Sequence, residues 1–452
     1  MREGRKKLFG EVVTDSSKAK PGAVFIALKG ERLDGHRFVP EAVRRGAACV
    51  IVHRKLARTA AKDAAVVRVP DTLRALGDLA HHRRQKFAPK VIAITGSNGK
   101  TTTKEMLSAI LEESFLNGEA LRGKVLKTEG NFNNLVGLPL TLLRLRPKHR
   151  IAVVELGTNR PGEIERLTRI ADPDLGIITS VAAAHLEGLN SLAGVAREKG
   201  ALYRNIRRDG TIAINTDDLW VRRLGEKFKG TKITYGTTGE VCAESRRSLG
   251  AGGVRFTIRA GGKRSPVRLK YLGEHNVANA TGAAALAHNL GVSLAAIRRG
   301  LERARPFAMR MQVETWKGIG IINDAYNANP ASMESAVKTL AQIAGPGQRI
   351  AVLGDMFELG KESRRQHFNL GREVARARID GVYLLGKQAK EVQKGALRGG
   401  MPAERVVVAG DHRQLAERLR RRVRRGDWLL FKGSRGMKME KVIEELRKGR
   451  SE

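Results

Sequence analysis

Residues 95–101 read Thr95-Gly96-Ser97-Asn98-Gly99-Lys100-Thr101, and they join two patterns of different period. Before them, Val91-Ile92-Ala93-Ile94 is a short apolar, partly β-branched run of the kind that forms a buried parallel strand. After them, from Thr102, apolar residues recur at Met106, Leu107, Ile110 and Leu111, which predicts a helix. Strand, glycine turn and helix make a phosphate cradle, because glycines let backbone N–H groups point inward and a helix N-terminus adds positive potential. In such a cradle Lys100 reaches the outer phosphates of a nucleotide, and the Thr101 hydroxyl is placed for Mg²⁺. The general pattern has glycine five residues before Gly99, where this chain has Ile94, so the loop is a shortened variant. An ordinary βα turn can also contain Gly-Lys-Thr; the strand before and helix after favour phosphate.

Length and composition bound what surrounds this loop. A chain of 452 residues exceeds one hydrophobic core and predicts about three domains. Hydrophobic residues make up 41%, enough for globular folding, and no apolar run approaches membrane length. The start, Met1-Arg2-Glu3-Gly4-Arg5-Lys6-Lys7-Leu8-Phe9-Gly10, is basic without the apolar stretch of a signal peptide. Cys49 and Cys242 fall in separate predicted domains, so no disulfide framework is expected. Together these point to the cytoplasm and away from membrane insertion.

Lys and Arg number 84 against 46 Asp and Glu, a formal net charge of +38. Such a balance fits a nucleic-acid face, or solubility and steering of anionic small substrates. The basic residues are spread out, and the densest run, Arg418–Arg425, has the look of a solvated helix face. Aromatics are only 4%, which leaves few stacking platforms for single strands. A basic P-loop ATPase acting on nucleic acid is therefore the rival function.

Three α/β units are predicted, at 1–85, 86–307 and 308–452. In the first, Val24–Leu28 and Cys49–Val52 read as strands with a helix starting at Val39-Pro40-Glu41-Ala42-Val43 between them. In the second, Ala152–Val154, Leu175–Ile178 and Thr211–Ile214 alternate with helical patterns, which implies a mostly parallel sheet binding ligands at strand carboxyl ends. Glu155 leaves one of those strands opposite the cradle, a place that suits Mg²⁺, which prefers oxygen ligands. Asn276 and Asn279, at i and i+3, share a helical face and can address one ligand. In the third, Ile319–Ile322, Arg349–Leu353 and Trp428–Phe431 are strands with loops after them.

The loop Thr-Gly-Ser-Asn-Gly-Lys-Thr-Thr, at 95–102, resembles the ATP loop of the Mur ligases and folylpolyglutamate synthases, enzymes that use ATP to join an amino group to a carboxylate. The resemblance to the Mur ligases covers nearly the whole chain. It implies an N-terminal UDP-binding α/β domain, a central P-loop-type parallel-sheet ATPase domain and a C-terminal Rossmann-like α/β domain. Asp15-Ser16-Ser17 and Asp34-Gly35-His36 resemble the UDP-binding motifs, with Ser16 toward substrate and Ser17 where the family has Arg. Gly130-Asn131-Phe132-Asn133-Asn134 matches a family loop near ATP and the acyl substrate, which implies Asn133 and Asn134 as contacts. The resemblance also implies a second metal ligated by His185 and supported by Lys199 as a carbamate, beside Thr101 and Glu155. Gly273–Ala280 matches Gly-x-His-Asn-x-x-Asn, whose asparagines lie against the nucleotide. Arg310, in Phe307-Ala308-Met309-Arg310, matches the hinge arginine that meets the γ-phosphate, and Asp324 would hold the ribose hydroxyls. Asp324-Ala325-Tyr326-Asn327-Ala328-Asn329-Pro330, Leu353–Gly360 with His367, and Lys432-Gly433-Ser434-Arg435 resemble the branch that adds D-alanyl-D-alanine to UDP-N-acetylmuramoyl-tripeptide, with Asn327 and Asn329 toward substrate. The implied cofactors are ATP and Mg²⁺, the implied state a monomer, with no nucleic acid required. A non-catalytic nucleotide-binding relative would not need Lys100, Glu155, His185 and Lys199 together.

Overall fold

Strands that alternate their apolar side chains between two faces need cover on both sides, and the central sheet has it. In the computed structural model, which describes residues 10–57 and 59–448, the strand Lys90–Thr95 sends Ile92 and Ile94 into one core and Val91 and Ala93 into another. The basic N-terminal stretch, with no apolar run of a signal peptide, lies outside the described residues up to Phe9.

The first unit is a four-stranded parallel sheet of β1 (Val12–Val13), β2 (Val24–Ile26), β3 (Cys49–Val52) and β4 (Ala65–Arg68), in that order. Helix α1 (Val39–Arg44) lies between β2 and β3. Strand β2 is shorter than the predicted Val24–Leu28, because Leu28 already accepts a hydrogen bond from the Gly35 N–H across the following turn. Helix α2 (Thr72–Phe87), capped by Asp71, carries the chain to the central unit.

The central sheet contains β5 (Lys90–Thr95), β6 (Val125–Lys127), β7 (Ile151–Glu155), β8 (Leu175–Ile178), β9 (Thr211–Asn215) and β10 (Thr231–Tyr235). Its order is β10-β9-β8-β5-β7-β6, and all pairs are parallel. Helix α3 (Lys100–Glu112) starts two residues earlier than its apolar pattern, and Glu155 is the last residue of β7 rather than the first beyond it. Helices α4 (Gly137–Leu143), α5 (Leu186–Leu189) and α6 (Leu192–Asn205) follow loops at the strand ends.

An antiparallel three-stranded sheet, β11 (Cys242–Ser248), β12 (Val254–Ala260) and β13 (Lys263–Leu269), departs from the expected parallel pattern. Its signal was Val254, Phe256, Ile258 and Ala260, a period-two stripe that is buried against helix α7 (Glu274–Asn289). The last unit is a six-stranded sheet of β14 (Gln312–Trp316), β15 (Ile319–Asp324), β16 (Arg349–Gly354), β17 (Gly381–Leu385), β18 (Val406–Ala409) and β19 (Trp428–Lys432). Its order is β14-β15-β19-β16-β17-β18, antiparallel only at β14. Helix α8 (Pro330–Ala341) follows β15, and α9 (His412–Arg422) carries most of the arginine run, with Leu419 buried and Arg418, Arg421 and Arg422 exposed.

Candidate nucleotide and ligation site

The loop after β5 takes its shape from two glycines at positive φ, Gly96 at +146° and Gly99 at +84°. A Cβ at Gly96 would collide with Thr179 Oγ1, and one at Gly99 with Asn279 Oδ1. Helix α3 begins at Lys100 with no side-chain cap, and its first backbone bond runs from Thr103 N–H to Gly99 O at 2.8 Å. The earlier N–H groups of that turn are thus free for an anion. Ser97 and Asn98 are tied to the β8 loop through Ser180, and the Thr95 hydroxyl donates to Leu156 O at 2.8 Å beneath the loop. Lys100 folds back to donate to Gly96 O at 2.8 Å. Desolvation pushes its pKa down, nearby Glu155 opposes that, and Arg310 adds to it.

Glu155 is buried at 1% exposure at the end of β7. Its carboxylate accepts from the Thr101 hydroxyl at 2.9 Å and from Asn133 Nδ2 at 2.9 Å, with Lys104 Nζ 4.0 Å away. A buried carboxylate and hydroxyl beside a phosphate loop form a hard oxygen donor set, which fits Mg²⁺. Among the described residues no group of three or more His, Cys, Asp or Glu is arranged to hold a metal. His185 pairs through Nδ1 with Glu358 Oε2 of the third unit at 2.5 Å. Lys199 lies on α6 at 1% exposure, and desolvation, then the positive charge of Lys100, push its pKa well below the lysine value against the pull of Glu198.

One cleft runs between the central and C-terminal units. It is lined by residues 97–102, by Asn276 and Asn279 of α7, and by Arg310, Asp324, Asn327 and Asn329. Asn279 Nδ2 donates to Asn276 Oδ1 at 3.0 Å, as their shared face predicted. The Arg310 guanidinium stacks 4.1 Å from the Tyr326 ring centre. Asp324 accepts from Lys432 Nζ at 2.5 Å and from Met311 N–H at 3.0 Å, so its carboxylate is already oriented. Asn329 caps α8 and donates from Nδ2 to Asn98 Oδ1 at 2.8 Å. His275 also lines the cleft, and burial pulls its pKa down to about 4 against the Asp324 charge.

A second cleft of 740 Å³ lies between β1 and α4. Val136 and Leu140 give it an apolar wall, Phe132 comes from the loop that carries Asn133, and Lys18, Arg144 and Lys148 give it cations. Ser16 is buried with its hydroxyl on Glu41 Oε2 at 2.8 Å, and Ser17 is exposed with its hydroxyl on Asp15 Oδ1 at 2.7 Å. Asn134 is engaged locally, accepting from the N–H groups of Val136 and Gly137 at the start of α4.

Sequence reasoning left four side chains without roles: His275, Tyr326 and Lys432 at the first cleft, and Glu358 at the boundary between two units. All four sit inside motifs read for other residues, and a titratable or aromatic neighbour within such a motif was the available signal. Glu358 meets His185 only once two units dock.

Family models of the Mur ligase family match in order along the chain: the catalytic domain at residues 9–84, the middle domain at 94–287 and the glutamate ligase domain at 309–435. The UDP-N-acetylmuramoyl-tripeptide–D-alanyl-D-alanine ligase of Bacillus subtilis is 37% identical over 96% of this chain and 92% of its own length. That of Escherichia coli is 36% identical over 96% and 93%. A crystal structure of MurF from Acinetobacter baumannii superposes with a TM-score of 0.89 at 36% identity, covering 97% of this chain and 93% of that one. The MurF ligase of Thermotoga maritima in complex with ADP gives 0.86 at 29% identity, covering 98% and 99%. The chain therefore belongs to the Mur ligase family.

Proposed function

We propose that this protein joins D-alanyl-D-alanine to UDP-N-acetylmuramoyl-tripeptide at the expense of ATP, giving UDP-N-acetylmuramoyl-pentapeptide, ADP and phosphate for peptidoglycan synthesis. One observation carries the reading: Lys100 of the phosphate loop and Arg310 of the hinge face the same cleft, with the Glu155 carboxylate beneath. Relatives of that activity, similar along nearly the whole chain, support the substrates. The nucleic-acid ATPase reading is not favoured by those relatives.

A peptide carboxylate is a poor electrophile, so it first attacks the γ-phosphorus of ATP. The new C–O–P bond forms as the bond to the β-phosphate oxygen breaks, and ADP leaves. Lys100 and Arg310 would offset charge on the transferred phosphoryl group, while the free N–H groups of α3 hold the phosphates. Mg²⁺, held by Thr101 and Glu155, would neutralise further phosphate charge when bound. Asp324, held by Lys432, is placed to take ribose hydroxyls, and Asn276 and Asn279 to meet the nucleotide. The amine of D-alanyl-D-alanine then attacks the acyl carbon, phosphate leaves, and the amide loses a proton to solvent. Catalysis is chiefly positioning, with the ends of the reaction held by different units.

Burial disfavours the charged form of Lys199 and so favours the amine that reaction with CO₂ requires, giving a carbamate anion and a proton; His185 would share the second metal with it. Asn133 would act beside the Glu155 carboxylate it contacts, and Asn327 and Asn329 line the first cleft, whereas Ser16 is turned onto Glu41. We place the enzyme in the cytoplasm as a monomer, which sedimentation checks. The deciding assay is ADP release with UDP-N-acetylmuramoyl-tripeptide, with and without D-alanyl-D-alanine. Release stimulated by DNA or RNA instead would sink the proposal.

A further inference from the structure

Glu358 belongs to the C-terminal unit and His185 to the central one, yet the two side chains meet at 2.5 Å. The meeting is built from both sides. His185 and Glu358 each adopt a left-handed backbone, φ +55° and +62°, a conformation that non-glycine residues hold only where surroundings over-determine it. Glu358 also grips the start of α5 with its backbone, its carbonyl accepting from Glu187 N–H at 3.0 Å. The loop that presents it is pinned one residue at a time. Asp355 accepts from the N–H groups of Lys387 and Gln388, Met356 N–H donates to His367 Nε2 at 2.9 Å, and Phe357 N–H donates to Ser434 Oγ at 2.8 Å. Glu358 is therefore delivered on a fixed arm rather than a free side chain on a loose loop.

We propose that Glu358 is a positioning residue that reaches across the boundary between the two units to orient His185, so that docking of the C-terminal unit and the working geometry of the histidine are one event. A carboxylate on Nδ1 fixes that nitrogen as the donor and leaves the Nε2 lone pair as the acceptor or ligand. The ring then presents Nε2 in one orientation only while the C-terminal unit is seated. The Asn98–Asn329 bridge is a second contact across the same boundary. The kinetic part of this inference rests on the ligase reading above; the docking part does not.

The test uses the full chain with spin labels at Lys227→Cys and Lys390→Cys, exposed sites in the central and C-terminal units; native Cys49 and Cys242 are buried. Double electron–electron resonance with saturating ADP reads the distance between units. In Glu358→Ala the distribution should broaden toward longer distances, and kcat should fall at least tenfold while KM for ATP stays within twofold. Glu358→Gln, whose amide oxygen still accepts from Nδ1–H, should keep the narrow distribution and recover much of kcat. A Glu358→Ala distribution identical to the parent's overturns the proposal whatever the rates. A parent protein that releases no ADP with tripeptide and dipeptide would overturn the ligase reading instead, and the distance measurement would still judge the clasp.

Discussion

Asn329 of the C-terminal unit donates from Nδ2 to Oδ1 of Asn98 in the phosphate loop, 2.8 Å away, while its own Oδ1 caps helix α8 by accepting from Ser332 N–H at 2.9 Å. One side chain thus couples the start of a helix in one unit to the nucleotide loop of another. The two duties separate by mutation. Asn98→Ala removes only the bridge, so KM for ATP should rise severalfold with little change in melting temperature. Asn329→Ala removes the cap as well and should also cost about 1 kcal/mol of stability. Equal melting temperatures in the two variants would show that the cap adds nothing.

Lys100→Ala should lower kcat for ligation by at least about 100-fold, the scale of losing one preorganised charge at a transition state. The fold should survive, because the lysine's hydrogen bond is to its own loop, at Gly96 O. Circular dichroism checks the fold and ADP release checks turnover. Near-normal turnover in a folded variant would end the phosphate-loop assignment.

How much of this was legible differs from residue to residue, for physical reasons. Gly96 and Gly99 could be read because a phosphate loop needs positive φ at fixed spacing, and the structure has both. Glu155 could be read because a carboxylate ending an apolar strand is locally odd. The order of the central sheet could not be read, since which parallel strands pair depends on helix packing over long separations. The contacts Asn98–Asn329 and His185–Glu358 were hidden for the same reason, spanning 231 and 173 residues. The β12 stripe was readable and went unread beside the parallel pattern around it.

Lys199→Ala should lose ligation and regain part of it when formate is supplied, if a carbamate anion is what the site uses. Lys199→Arg keeps a positive charge and should stay inactive. Stability gives a second readout. With its folded pKa lowered and an ordinary value when unfolded, the lysine binds more protons in the unfolded state. The stability of the uncarbamylated protein should therefore rise with pH relative to Lys199→Met, by at most about 1.4 kcal/mol per pH unit, until about pH 10.4. A flat difference in CO₂-free denaturant titrations would show that the amine is charged in the fold.

His275 predicts an acid limb. Its folded pKa is pushed down to about 4, while the unfolded ring titrates near 6.5. Between those values only the unfolded state takes the proton, so stability should fall as pH drops from about 6.5 to 4. The loss is at most about 3 kcal/mol, and less because the ring is not fully buried. Urea titrations of the apo protein at pH 7, 5.5 and 4.5 should show the limb, and His275→Gln should flatten it. An unchanged limb in the variant would assign it to other groups.

Ser17 marks the departure from the family pattern, and its surroundings define what an arginine there would meet. The Ser17 hydroxyl is spent on Asp15, and Ser16 is turned inward onto Glu41. Lys18 beside them lines the cleft against α4, where Arg144 and Lys148 also stand. Positive charge for a UDP-linked substrate is therefore already present in this cleft, though Lys18 beside the turn lacks the planar fork that an arginine at position 17 would add. Contacts there lie far from the reacting carboxylate and act on ground state and transition state alike, so they change KM and leave kcat alone. Ser17→Arg should lower KM for the UDP-tripeptide by about tenfold, equivalent to about 1.4 kcal/mol, with KM for ATP and kcat unchanged. Lys18→Ala should move the same KM upward. If Ser17→Arg leaves that KM alone while Lys18→Ala raises it, the lysine already does the arginine's work. If neither substitution moves it, this turn does not touch the substrate.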